Sequence, residues 1–108
     1  MLDFKETVYE KAVLIGVINR EQPLEKVEEY LDELAFLTYT AGGEVIKRFI
    51  QKVDIPNPKT LIGSGKMEEV EAFVEENQVA TVIFDDELTP AQQNNIEKIL
   101  KCKILDRT

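Results

Sequence analysis

The chain has 108 residues, of which 44% are apolar, with a single cysteine and no histidine. That length supports one domain with its own core, and the composition excludes an internal disulfide framework and any histidine triad or imidazole ligand. A net charge of −8 sets the field as a whole against polyanions, yet residues 44–66 carry a net +3 between flanks of −5 and −6, leaving one positive island.

Residues 1–10 are mixed and charged and read as a flexible lead-in or arm, so the domain is expected over 11–108. Lys11–Asn19 is almost continuously apolar, the pattern of a strand covered on both faces. After a loop at Arg20–Pro23, Pro23 suits a first helical position. Leu24, Val27, Leu31 and Leu34 then recur at helical spacing, with an acidic row opposite that reads as a solvated face. Ala41, Gly42 and Gly43 end the helix.

Glu44–Val53 reads as a second strand. Alternation puts Val45, Phe49 and Gln51 on one side and Ile46, Arg48 and Ile50 on the other. Lys47, Arg48 and Lys52 make it polar enough for a sheet edge. Next comes Pro56–Lys66, Pro-Asn-Pro-Lys-Thr-Leu-Ile-Gly-Ser-Gly-Lys, whose prolines fix backbone angles and whose glycines permit turns other residues resist. So many constrained residues in a small domain make this loop the first place to look for function. Met67–Asn77 is the second helix, packing through Met67, Val70, Phe73 and Val74.

Val79–Phe84 is a short apolar strand closed by Asp85, Asp86 and Glu87. Thr89 before Pro90 reads as an N-cap with proline at the first helical position, opening a helix over 91–100 that packs through Ile96, Ile99 and Leu100. Cys102–Leu105 is a fourth strand, with Cys102 as a small buried hydrophobe. Alternating strands and helices with right-handed crossovers give an α/β fold. The expectation is a small three-layer domain: a four-stranded, mostly parallel sheet in strand order 2-1-3-4 with helices on both faces. The loops after the strands then gather on one rim.

Gly63-Ser64-Gly65-Lys66 ahead of a helix is not a Walker A motif. Thr60 stands where that motif needs its first glycine and Met67 where it needs a hydroxyl, so the usual Mg²⁺ contact is missing. Free amides near Gly65–Met67, with the ammonium of Lys66 and help from Lys59, would instead hold one phosphate or carboxylate. The alternative is a tight structural turn. Asp85-Asp86-Glu87 reads as helix support and solvation rather than a metal site. The amides of Gln92, Gln93, Asn94 and Asn95 suit a base edge, a partner backbone, a neighbouring loop or plain solvent. No serine or cysteine has a recognisable base beside it, so catalysis by this chain is not expected.

Three stretches in order, Pro56–Glu69, Val82–Glu97 and Leu105–Thr108, resemble the N-terminal domain of HflX-type GTPases. The resemblance runs from about Lys11 to Thr108. It implies an α/β domain preceding a helical linker and a GTPase domain in a cytoplasmic protein that binds the large ribosomal subunit, rescues stalled ribosomes and contacts rRNA. Some members are also linked to adenine-nucleotide binding. GTP and Mg²⁺ would belong to the full-length parent, with no cofactor or metal in this chain and no membrane partner. Lys59, Gly63, Gly65 and Lys66 match the family's glycine loop, and with Ser64 and the preceding Lys52 they are the candidates for anion or rRNA contact. Asp85, Pro90, Gln92, Gln93, Asn95 and Glu97 match its second segment, alongside Asp86 and Thr89. Asp106, Arg107 and Thr108 match the boundary before the linker. Asn94 departs from the arginine usual in the family.

Overall fold

The computed structural model describes residues 10–107. Its elements alternate: β1 (Glu10–Ile18), α1 (Leu24–Thr40), β2 (Gly43–Lys52), α2 (Ser64–Asn77), β3 (Thr81–Phe84), α3 (Pro90–Leu100) and β4 (Lys103–Leu105). The sheet order is β2-β1-β3-β4 and all three pairings are parallel, as the sequence predicts. The expected lead-in over 1–10 lies outside the described residues except for Glu10, which opens β1.

Two apolar cores sandwich the sheet, because a strand alternates its side chains between faces. Leu14 and Ile83 meet Val27 and Leu31 of α1 on one face. Val13, Ile15, Val82 and Phe84 meet Met67, Val70 and Val74 of α2 and Ile96 and Leu100 of α3 on the other. Gly16 lets α1 lie close on β1: a Cβ there would stand 2.6 Å from Val27 Cγ1.

Several local expectations are corrected. Pro23 is the N-cap of α1, not its first helical residue. Leu24, expected to face inward, is 45% exposed at the helix start. On β2, Val45 packs with Ile50 on the α1 side, while Ile46 packs with Phe49 opposite. The cause is a register shift between Ala12 and Val13, where Val45 pairs with Ala12 but Lys47 with Val13. That bulge inserts one residue and reverses the alternation beyond it. Cys102 precedes β4 and is half-buried against the core, where burial pushes its thiol above the ordinary value.

Candidate functional site

Parallel strands deliver all their C-terminal loops to one rim. Residues 53–63 form the longest of these, and they contain a surprise. The left-handed residue is Leu61, with φ 69°, while Gly63, at φ −65°, and Gly65 carry no positive φ. Expecting the glycines to make the turn was therefore wrong. Asn57 and Leu61 close the turn by reciprocal backbone hydrogen bonds of 3.1 and 2.8 Å. The Asn57 side chain accepts from the Lys59 amide at 2.8 Å, and the Thr60 hydroxyl donates to the Ile62 carbonyl at 2.8 Å. These bonds, with the buried Leu61 side chain, offset an angle that bulky residues avoid.

The Gly-Ser-Gly-Lys stretch also belongs to the helix rather than to the loop before it. Gly63 caps α2, and its amide donates to the Gln51 side-chain oxygen Oε1 at 2.9 Å. The Met67 amide already donates to the Gly63 carbonyl at 2.9 Å, so it is not free as expected. The amides of Ser64, Gly65 and Lys66 form the open first turn, and no side chain caps them. A Cβ on Gly65 would meet nothing within 4 Å. Its bareness thus serves neither backbone geometry nor internal packing, and it leaves the helix start accessible from outside.

The second family segment explains why this loop is rigid. Thr89 and Gln92 form a reciprocal capping box at the start of α3. The buried Gln92 amide, 5% exposed, then donates to the Asn57 carbonyl at 2.9 Å. Asn95 donates to the Lys59 carbonyl at 3.2 Å, and Gln93 to the Ile104 carbonyl at 3.0 Å. Of the roles open to these amides, gripping a neighbouring loop is the one Gln92 and Asn95 adopt.

Between this loop, the start of α2 and the end of α3 lies a slot of about 400 Å³. From α2 come Ser64, Met67, Glu68 and Glu71, and from the loop and the end of α3 come Lys59, Lys98, Ile99 and Lys101. Among the described residues, none of these three lysines is in an ion pair or donates a side-chain hydrogen bond. The other cationic candidates scatter. Lys66 pairs with Glu69 at 3.2 Å, Arg48 with Asp32 at 2.8 Å, and Lys47 lies 5.5 Å from the Phe49 ring centroid. Lys52 lines a separate rim groove of about 1040 Å³ with Arg20, Glu21, Asp54 and Asp86, where charges of both signs meet. Lys98 and Lys101 were missed in the sequence. Lys98 lies in the last turn of α3 and Lys101 is its left-handed C-cap, but nothing local says that residues 57–60 fold beside them.

A second cluster sits at the C-terminal ends of the neighbouring strands β1 and β3, whose onward connections lead to opposite edges of the sheet. The Arg107 guanidinium donates to the Asp85 carbonyl at 3.0 Å and to Gln22 Oε1 at 3.3 Å, and it stands 3.3 Å from Asp85 Oδ1. It also lies 5.6 Å from the Tyr30 ring centroid. Asp106 accepts from the Leu88 amide at 2.8 Å. Burial raises the Asp85 carboxyl above its ordinary value, Arg107 opposes that rise, and Asp86 and Glu33 add to it. Asp85 Oδ2 is buried without a hydrogen-bond partner. Thr108 lies outside the described residues.

Neither cluster fits a Mg²⁺–nucleotide phosphate loop. The Met67 side chain occupies the core where a hydroxyl would be needed, and Lys66 is turned to Glu69. Among the described residues, no three carboxylate or thiol groups gather to hold a metal ion, and no helix is long and apolar enough to cross a membrane.

The parallel sheet, the glycine-bearing helix start and the loop-gripping amides define a small α/β domain. The family model described as GTP-binding GTPase N-terminal matches residues 28–108. The chain belongs to this family, the N-terminal domains of HflX-type GTPases. It is 60% identical to GTPase HflX of Flavobacterium psychrophilum over 105 residues, covering 96% of this chain and 25% of that protein. The corresponding match in Caldanaerobacter subterraneus subsp. tengcongensis is 44% identical and covers 92% of this chain and 22% of the relative. In Escherichia coli it is 33% identical, again covering 92% and 22%. The chain thus spans about a quarter of the length of the curated relatives it matches. A crystal structure of an SsGBP mutation variant shares the fold with a TM-score of 0.67 at 22% identity, covering 91% of this chain and 29% of that one.

Proposed function

We propose that this domain is a noncatalytic module of an HflX-like GTP-binding protein that associates with the large ribosomal subunit, contributing rRNA contact and modulating the GTPase domain. The observation that carries this reading is the preformed loop–α3 junction. It presents three unpaired lysines beside the open first turn of α2, in a chain whose net charge is −8. Ammonium groups and free helix amides are the donors that meet phosphate. GTP hydrolysis and its Mg²⁺ are assigned to the parent protein.

The test is co-sedimentation of the full-length protein with large subunits across a salt series. Binding should fade steeply with salt, because each phosphate contact releases counterions. Lys59→Glu should weaken it more than Lys66→Glu, since Lys66 is already neutralised by Glu69. Salt-independent binding that both substitutions leave unchanged removes the loop from the interface.

A second reading, a domain that positions the GTPase domain, draws support from the Arg107 cluster. It anchors the last described residue to two other loops. An adenine-nucleotide site at the strand rim has less support. The point where the strand order reverses, between β1 and β3, is where such folds take ligands, and here Arg107 bridges the loops that follow those two strands.

A further inference from the structure

The slot beside α3 brings the apolar Met67 and Ile99 together with lysines of the loop and the α3 end and carboxylates of α2, none of them in an ion pair among the described residues. Lys59, Lys98 and Lys101 attract an anion, but an anion alone leaves Met67 and Ile99 unused. Glu68 and Glu71, contributed by α2, accept hydrogen bonds and repel phosphate. The complementary ligand is therefore flat and apolar in its middle, anionic on one side and hydrogen-donating on the other. A nucleotide with an exocyclic amino group on its base has that pattern.

Resting on the rRNA-contact reading, we propose that this slot receives one unpaired nucleotide of single-stranded RNA. The base enters over Met67 and Ile99, and Glu68 and Glu71 accept hydrogen bonds from its amino group. Lys59, Lys98 and Lys101 meet the flanking phosphates. Single-stranded RNA presents splayed bases whose edges are free for such bonds, and carboxylates accept from the cytosine amino group. Adenine, cytosine and guanine carry that donor, whereas uracil does not. A slot of about 400 Å³ is within the roughly 300–1,000 Å³ of small-molecule sites. It is also preformed, because Gln92 and Asn95 tie the loop to α3, so little ordering cost falls on binding.

The test uses fluorescence anisotropy of this chain with 5′-labelled decamers of oligo(A), oligo(C) and oligo(U). The expected result is at least roughly fivefold tighter binding of oligo(A) and oligo(C) than of oligo(U), the order of one good hydrogen bond. Lys98→Glu with Lys101→Glu should weaken binding at least about tenfold, while Lys47→Glu, on another part of the surface, should change it less than about twofold. Glu68→Ala with Glu71→Ala should bring oligo(A) and oligo(C) down towards the affinity of oligo(U) and so abolish the base preference. All these side chains except the half-buried Glu71 are exposed, and circular dichroism checks that each variant folds. Equal losses from the Lys47 and the Lys98/Lys101 changes, absence of base preference, or no RNA binding overturns the proposal. So does an acidic decapeptide that binds as tightly as the RNA, which would make the slot a protein-docking site. The same Lys98/Lys101 variant in the full-length protein separates the two levels. Undiminished large-subunit binding refutes the slot alone, whereas failure of the wild-type protein to bind subunits refutes the underlying reading.

Discussion

Replacing Arg107 by methionine keeps much of the side chain's length while removing the guanidinium donors at the ends of β1 and β3. The Asp85 carbonyl loses its 3.0 Å bond, Gln22 Oε1 loses its 3.3 Å bond, and the Asp85 carboxylate is left with a side chain only 10% exposed and without the Arg107 cation. Losing a hydrogen bond to a charged group at a buried site costs about 1.5–3 kcal/mol, and solvent screening of the half-exposed guanidinium keeps the total towards the lower end. We expect a loss of about 2 kcal/mol at pH 8, or roughly 8–16 °C in Tm for a domain of this size. The sign of the pH dependence follows from Asp85. Its folded-state carboxyl lies above the ordinary value, so between the unfolded and folded values the native protein holds more protons. Stability from this group therefore falls as pH rises through that window. Removing Arg107 takes away the influence that holds the carboxyl down, while burial, Asp86 and Glu33 continue to raise it. The window extends upward, and the variant's deficit should shrink as the pH is lowered from 8 to 5. Urea denaturation of both proteins across that range measures it. A deficit of the same size at pH 5 and pH 8, or one below about 0.5 kcal/mol at pH 8, refutes this account of the cluster.

Gln92→Ala should cost about 2 kcal/mol in urea denaturation, because it removes half of the capping box and the buried tether to Asn57. Hydrogen exchange of the Leu61 amide should accelerate in the same variant, and unchanged protection there would show that the loop holds itself. Gly65→Ala should stabilise the fold by roughly 0.5–1 kcal/mol, since the new methyl meets open space in a helical residue. A lower Tm would contradict that. Gly16→Ala should destabilise by about 1–3 kcal/mol through overpacking against Val27 and Leu31, and a Tm within one degree of the parent would mean α1 shifts away freely.

The second family segment marks the limit of reading the chain locally. Its N-cap and proline were legible because Thr89 and Pro90 act within one turn of their own helix. The destination of Gln92 and Asn95 was not, since their partners lie 35 and 36 residues away. The glycine loop misled for a related reason. Glycine permits a positive φ but does not require one, and the left-handed conformation fell to Leu61 because its buried side chain and its bonds to Asn57 hold it there. On β2 a strict period of two assigned Val45 to the wrong side, because one bulge reverses the alternation and nothing in the local pattern announces it.

Apolar runs, helical spacing and crossover handedness by themselves gave the element order and the parallel sheet, because each depends on near neighbours or on rules common to all chains, while the expected strand order needed the fold to establish it. Tertiary structure alone decided which charges share a site. It separated Lys52, Lys59 and Lys66, brought Lys59 alongside Lys98 and Lys101, and carried Arg107 to Asp85 and Gln22. Electrostatics and hydrogen bonds act over a few ångströms in space, and it is the folded path of the chain that brings residues so distant in sequence within that range.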